Sequence, residues 1–174
     1  MKIVQAFKTD LDELMEFYDY MCGVLGKKEF MPKGNKGGFP PREMVEDAIS
    51  ENCMFIGIED EKIVAAYIMN HNADKSYDDV NWNVDATRNE AVVLHALRVL
   101  PEYGGKGYSK LLLEHSIETA RARGEKAMRL DCLEGNDVPI KMYQNYGFEY
   151  IDTVEITYVD IGEPRRFMLF ELPL

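Results

Sequence analysis

The sequence is poor in cysteine, histidine, tryptophan and positive charge. It has three cysteines in 174 residues, Cys22, Cys53 and Cys132, far apart and in no metal-like spacing. That excludes a disulfide framework and fits reduced thiols in the cytoplasm. His71, His95 and His115 are scattered, so no metal site is expected. Lys and Arg number 20 against 31 Asp and Glu, for a formal net charge of −11. Neutralising nucleic-acid phosphates needs a basic surface, so nucleic acid is excluded as the main partner. No apolar run approaches a membrane span, which argues against a membrane partner. Met1–Asp10 is too short and too soon acidic for a signal peptide. There is no internal repeat, linker or low-complexity tract. What remains is a cytoplasmic protein with one domain over residues 1–174, large enough to bury roughly two-thirds of its unfolded surface. Its charge would draw a cationic or amine substrate, although an acidic surface also serves solubility.

Residues 2–7 alternate weakly and read as a strand. Thr9 or Asp10 then caps a helix. In that helix Leu11, Leu14, Met15, Tyr18, Met21, Cys22 and Leu25 form one apolar stripe. Gly26 ends it, and Lys27–Phe39 is a glycine-rich loop. Pro40 or Pro41 opens a second helix. Cys53–Glu59 and Lys62–Asn70 form a hairpin. His71–Glu90 is a long polar loop carrying Tyr77 and Trp82, either as a binding loop or as one pinned to the core by Trp82. Ala91–Val99, broken only by His95 and Arg98, suits a central strand covered on both faces. Ser109–Arg123 is a helix, Ala127–Leu133 a strand and Asp137–Tyr146 a short helix. Phe148–Val159 and Phe167–Leu172 close the chain as a hairpin around Gly162-Glu163-Pro164. The last strand either pairs across a homodimer or is covered within the monomer. The alternation of elements predicts a mixed α/β sheet.

Between the central strand and the third helix lie Gly104, Gly105 and Gly107. Such a turn opens a nest of free N–H groups at the positive end of a helix, where phosphate is the usual anion. Its spacing is neither that of a P-loop nor that of a dinucleotide fingerprint. A tight structural turn without a ligand is the alternative.

The residues around it resemble a family. Leu97-x-Val99-x-Pro101-x-Tyr103-x-Gly105-Lys106-Gly107, followed by Leu111-Leu112, is similar to the acetyl-CoA-binding motif of the GNAT N-acyltransferase superfamily. Asn136, then Met142-Tyr143, then Gly147-Phe148 is similar to that family's second signature, in the same order along the chain. There are two departures. Gly104 stands where Arg or Gln is usual, removing a side-chain partner of the pyrophosphate. Ser109 stands where Gly or Ala is usual, adding a hydroxyl.

The resemblance implies a mostly antiparallel central sheet with splayed middle strands and about four helices. It implies acetyl-CoA as co-substrate, held by Leu97, Val99, Gly104, Gly105, Lys106, Gly107, Tyr108, Ser109 and Asn136. The pantetheine arm would lie between the splayed strands, with the Leu97 N–H as oxyanion donor. An amine of a small molecule or protein would attack the thioester directly in a ternary complex. Tyr143 would donate its phenol proton to the leaving sulfur. For the base, His95 shares a strand face with Leu97 and Val99 by period-2 counting, and imidazole titrates near neutral pH. A hydrogen-bonded core histidine is the alternative, and Glu90 is a rival base. The acceptor loops would be Gly26–Phe39 and His71–Glu90. A non-catalytic acyl-CoA-binding module is the rival reading of the whole chain, and an α/β domain with no CoA site is a third.

Overall fold

The computed structural model describes residues 1–25, 39–158 and 163–174. Seven strands carry the fold: β1 (Lys2–Gln5), β2 (Met54–Glu59), β3 (Lys62–Asn70), β4 (Ala91–Val99), β5 (Ala127–Leu133), β6 (Glu149–Ile156) and β7 (Arg165–Pro173). Four α-helices accompany them: α1 (Leu11–Leu25), α2 (Arg42–Ser50), α3 (Tyr108–Arg123) and α4 (Asp137–Asn145). The strand order is β1-β2-β3-β4-β5-β7-β6. β4 and β5 run parallel, whereas β1–β2, β2–β3, β5–β7 and β6–β7 are antiparallel. This is the mixed, mostly antiparallel sheet that the sequence predicts. The expected loop at Lys27–Phe39 lies outside the described residues except for Phe39, as does Gly162 of the closing turn.

The chain divides into two compact units. Among the described residues, the first comprises Met1–Met69 and His95–His115. Its core joins the α1 stripe of Leu11, Leu14, Met15, Tyr18 and Met21 to Met54, Ile56, Ala66, Ile68 and Ala96. The stripe forms because a 3.6-residue period brings those positions to one face. Asp10 does not cap α1 as expected. It closes a 3₁₀ turn ahead of the helix, where its Oδ2 accepts from the Phe7 N–H at 2.7 Å. The β2–β3 hairpin turns through Asp60 and Glu61, with φ of 50° and 61°, the left-handed pair that matches strand twist in a two-residue turn.

The second unit comprises Asn70–Leu94, Ser116–Tyr158 and the described C-terminal residues. Here β7 pairs with β5 on one side, from Ala127↔Pro173 to Leu133↔Phe167, and with β6 on the other. β7 is therefore interior to the sheet. Of the two expectations for that strand, it is the one covered within the chain. Across the β5–β7 ladder the buried pair Arg129–Glu171 meets at 2.9 Å. The Val84 N–H donates to the same carboxylate at 2.9 Å, and the Trp82 ring lies 4.2 Å from the Arg129 guanidinium. Trp82 also donates from Nε1 to the Tyr77 carbonyl at 2.9 Å. These contacts pin the loop between β3 and β4, the second of the two roles expected for Trp82. A buried ion pair with its remaining donors and acceptors filled is tolerated where a lone charge is not.

Candidate active site

β4 and β5 pair over three residues only, from Ala91↔Ala127 to Val93↔Arg129. β4 runs on to Val99 and β5 to Leu133. Within the stretch of β4 beyond its ladder with β5, Ala96 has a φ of 51°. That left-handed conformation costs an L-residue roughly 1–2 kcal/mol, and strict alternation of side chains does not carry through it. The period-2 count that aligned His95 with Leu97 and Val99 assumed a regular strand, so it does not carry across Ala96. His95, Leu97 and Val99 are all half-buried. Tyr18, fully buried on α1, donates its phenol to the Ala96 carbonyl at 3.2 Å. Burial pushes that phenol's pKa well up, so it stays protonated and able to donate. One peptide further on, Arg98 Nη1 donates to the Leu97 carbonyl at 2.9 Å.

β4 ends against the hairpin, with the Leu100 N–H on the Val64 carbonyl at 2.9 Å. A 3₁₀ turn at Pro101–Tyr103 leads into the glycines. Gly105 and Gly107 have φ of 77° and 78°, and a side chain at either would meet nothing within 4 Å. Gly104 differs: its φ is −58°, and a Cβ there would sit 3.0 Å from the Pro101 carbonyl. An Arg or Gln here would need the Pro101 carbonyl to give by a few tenths of an ångström. α3 starts at Tyr108, one residue earlier than expected, and its first carbonyl acceptor is Gly107. Gly104, Gly105, Lys106 and Gly107 are exposed, and Tyr108 and Ser109 half-exposed. The first N–H groups of a helix have no intrahelical partner, so this turn opens backbone donors to solvent ahead of a 16-residue helix. That geometry fits the pyrophosphate of a CoA ester.

Lys106 is not poised alone over the turn. Its Nζ pairs with Glu59 Oε1 at 2.9 Å and lies 4.6 Å from the centre of the Tyr103 ring. Tyr108 donates its phenol to the other oxygen of Glu59. The Tyr108 hydrogen bond, then Lys106, hold the Glu59 carboxyl down at about 2. This latch ties β2 to the turn and is not evident in the local pattern.

In the second unit, Asn136 precedes α4, and Tyr143 is buried on that helix with its ring edge-on to Phe148 at 5.7 Å. Gly147 ends the segment with a φ of 89°. Cys132 is a buried free thiol. Glu90 bonds Lys126 at 2.7 Å and accepts from the N–H and hydroxyl of Thr87. Lys126, then Thr87, keep its carboxyl at about 2. A carboxyl held so low is a weak proton acceptor near neutral pH, which counts against Glu90 as the rival base. Sequence reasoning passed over Asp131, whose Oδ2 accepts from Tyr77 at 2.9 Å and Tyr158 at 2.8 Å. The available signal was a lone acid in the otherwise apolar second half of β5. Among the described residues no group of acidic, histidine or cysteine side chains is arranged to hold a metal.

An open glycine turn ahead of a long helix follows a mid-sheet strand whose parallel ladder is short. The model of the acetyltransferase (GNAT) family matches residues 27–148, and the chain belongs to that family. An uncharacterized N-acetyltransferase of Methanocaldococcus jannaschii is 30% identical over 77 residues, which are 44% of this chain and 34% of that protein. The chain thus spans about a third of that relative's length. The solved ribosomal-protein-alanine N-acetyltransferase of Brucella melitensis shares the fold at a TM-score of 0.73 and 16% identity, with all of both chains covered. A putative acetyltransferase of Salmonella typhimurium, solved with acetyl-CoA, superposes at 0.71 and 16% identity over 99% of this chain and 93% of that one. No helix among the described residues is long and apolar enough to cross a membrane.

Proposed function

We propose that the protein is a cytoplasmic N-acetyltransferase that moves the acetyl group of acetyl-CoA to an amine within a ternary complex. The observation that carries this reading is the turn at Gly104–Gly107, whose left-handed glycines leave main-chain N–H groups open at the start of α3. Acetyl-CoA bound to the Salmonella structure supports the choice of donor. In this reading the Leu97 N–H donates to the thioester oxygen as negative charge develops there, an effect worth roughly 10²–10³ in rate for a single donor. The amine forms a bond to the acetyl carbon, and the carbon–sulfur bond breaks. Tyr143 hands its proton to the departing sulfur. The nitrogen loses its proton to His95, directly or through water. Gly105, Gly107, Tyr108 and Ser109 hold the pyrophosphate through main-chain groups, with the Ser109 hydroxyl as an added donor. Asn136 meets the pantetheine arm.

Calorimetric titration with acetyl-CoA, free CoA and adenosine bisphosphate tests the donor. Micromolar binding that needs the pyrophosphate, lost in Gly107→Trp, is the expected result. No binding by the wild-type protein would remove the reading. Tight binding without thioester turnover on any amine would make the chain a non-catalytic acyl-CoA module.

A further inference from the structure

Two of the described arginines are not exposed, Arg98 on β4 and Arg129 on β5. Arg129 meets its charge with Glu171. Arg98 is half-buried and makes no ion pair among the described residues; its Nη1 donates to the Leu97 carbonyl at 2.9 Å. Asp and Glu outnumber Lys and Arg by 31 to 20, so a shortage of carboxylates does not account for this. A guanidinium stays charged in a protein and carries five N–H donors. A charge drawn partly out of water is costly unless an anion faces it.

The position of Arg98 ties such an anion to the reaction. Arg98, Leu97, Ala96 and Tyr18 all belong to the first unit. Burial raises the pKa of the Tyr18 phenol, and the Arg98 charge works against that rise. The guanidinium is therefore felt at the phenol that holds the Ala96 carbonyl. Three covalent bonds separate the Leu97 nitrogen from its own carbonyl oxygen, which puts Arg98 Nη1 within about 7 Å of the Leu97 N–H.

We infer that Arg98 binds the carboxylate of the acceptor, and that the acceptor is a free α-amino acid. The inference rests on the acetyltransferase reading, in which the Leu97 N–H holds the thioester oxygen. An α-amino acid carries its amine and its carboxylate on one carbon. The carboxylate can thus sit on the guanidinium while the amine stands at the thioester carbon. Arginine offers a carboxylate a planar, two-pronged partner. A nearby positive charge also disfavours the ammonium form of an amine. The same guanidinium therefore helps the amine to shed its proton, and it repels polyamines and lysine side chains. The neutral amine bonds the acetyl carbon and the carbon–sulfur bond breaks. The nitrogen loses a proton and the sulfur gains one, giving an N-acetyl amino acid and CoA.

The test is steady-state acetylation, read as release of the CoA thiol at saturating acetyl-CoA. The probes are the twenty standard amino acids and, for the best of them, its amide and its decarboxylated amine. The amide keeps the shape and removes the negative charge. The proteins are wild type, Arg98→Gln, Arg98→Lys, and Arg121→Gln as an exposed control, with thermal melts to check folding. Wild type is expected to acetylate an amino acid with a kcat/KM at least about tenfold above that of its amide or amine. Arg98→Gln should lower kcat/KM for the amino acid about tenfold or more, chiefly through KM. It should leave the rate with the amine and the Kd for acetyl-CoA unchanged. Arg98→Lys should recover part of the loss, and Arg121→Gln should show none. No turnover of any amino acid, or an amide or amine used as well as the acid by wild type, would overturn the inference. So would wild-type kinetics in Arg98→Gln, equal losses there for amino acid and amine, or a loss of acetyl-CoA affinity. The wild-type comparison decides the matter should Arg98→Gln not fold. Turnover of amines but not of amino acids fails this inference alone, whereas no binding of acetyl-CoA fails the reading beneath it.

Discussion

The Tyr18 phenol bonds the carbonyl of Ala96, the residue that bends β4 through a left-handed φ. A trans peptide is planar, with its C=O and N–H pointing opposite ways. Fixing the Ala96 oxygen therefore fixes the direction of the Leu97 N–H in the same plane. Tyr18 is then a positioning residue in the proposed reaction. Tyr18→Phe keeps the ring and strands a buried carbonyl, so it should lower stability by about 1–2 kcal/mol. It should reduce kcat while leaving acetyl-CoA affinity intact. Urea melts and single-substrate kinetics separate the two effects, and unchanged kcat would leave Tyr18 as core packing only.

Ala96 itself tolerates little. A β-branched residue is still less at home in the left-handed region, and this site is buried. Ala96→Val should lose about 1–3 kcal/mol on denaturant unfolding. A variant as stable as wild type would mean that β4 relaxes to a regular strand.

Tyr143→Phe should cut turnover strongly and leave the Kd for acetyl-CoA within about twofold, since a proton donor acts in the transition state and not in binding. Equal rates in the two proteins would take the acid role from Tyr143.

The base is tested by the pH profile. His95→Ala should abolish the limb of kcat/KM near neutral pH, where imidazole titrates. Glu90→Gln should leave that limb in place, because Lys126 and Thr87 keep the Glu90 carboxyl at about 2, far from the working range. A neutral limb that survives in His95→Ala would return His95 to a structural role.

Glu59 makes a prediction in acid. Its folded-state pKa is depressed to about 2, below the ordinary glutamate value of about 4.3. The stabilisation is thus fully present above that ordinary value and is lost as pH falls towards 2. The melting temperature of wild type should exceed that of Glu59→Gln at neutral pH, and the gap should close between about pH 4.5 and pH 2. A gap that persists at pH 2 would mean that packing, not charge, maintains it.

Much of this fold is written locally. β3, β4 and β5 match their apolar runs residue for residue, α1 follows its stripe, and α4 ends ahead of Gly147 as expected; the Gly26 stop expected for α1 lies outside the described residues. The features that shape the candidate site are not local. Tyr18 and Ala96 are 78 residues apart, Lys106 and Glu59 are 47, and Tyr77 and Asp131 are 54. Alanine carries no sign of a positive φ, so the irregularity in β4 was invisible where a glycine would have announced it. Asp10 shows the converse: a good capping residue type that the chain uses one turn earlier, because the segment before α1 winds as a 3₁₀ turn.

The Glu59 latch has a consequence for how an anion is sensed. A lysine already neutralised by a carboxylate contributes little net charge to its surroundings. In the proposed reading, a phosphate arriving at the turn meets oriented amide dipoles, whose positions belong to the backbone and not to any side chain. Binding of that kind fades slowly with ionic strength and survives exchange of the residues at 106 and 109. Surface chemistry around the turn is then free to drift while the shape of the main chain keeps the ligand.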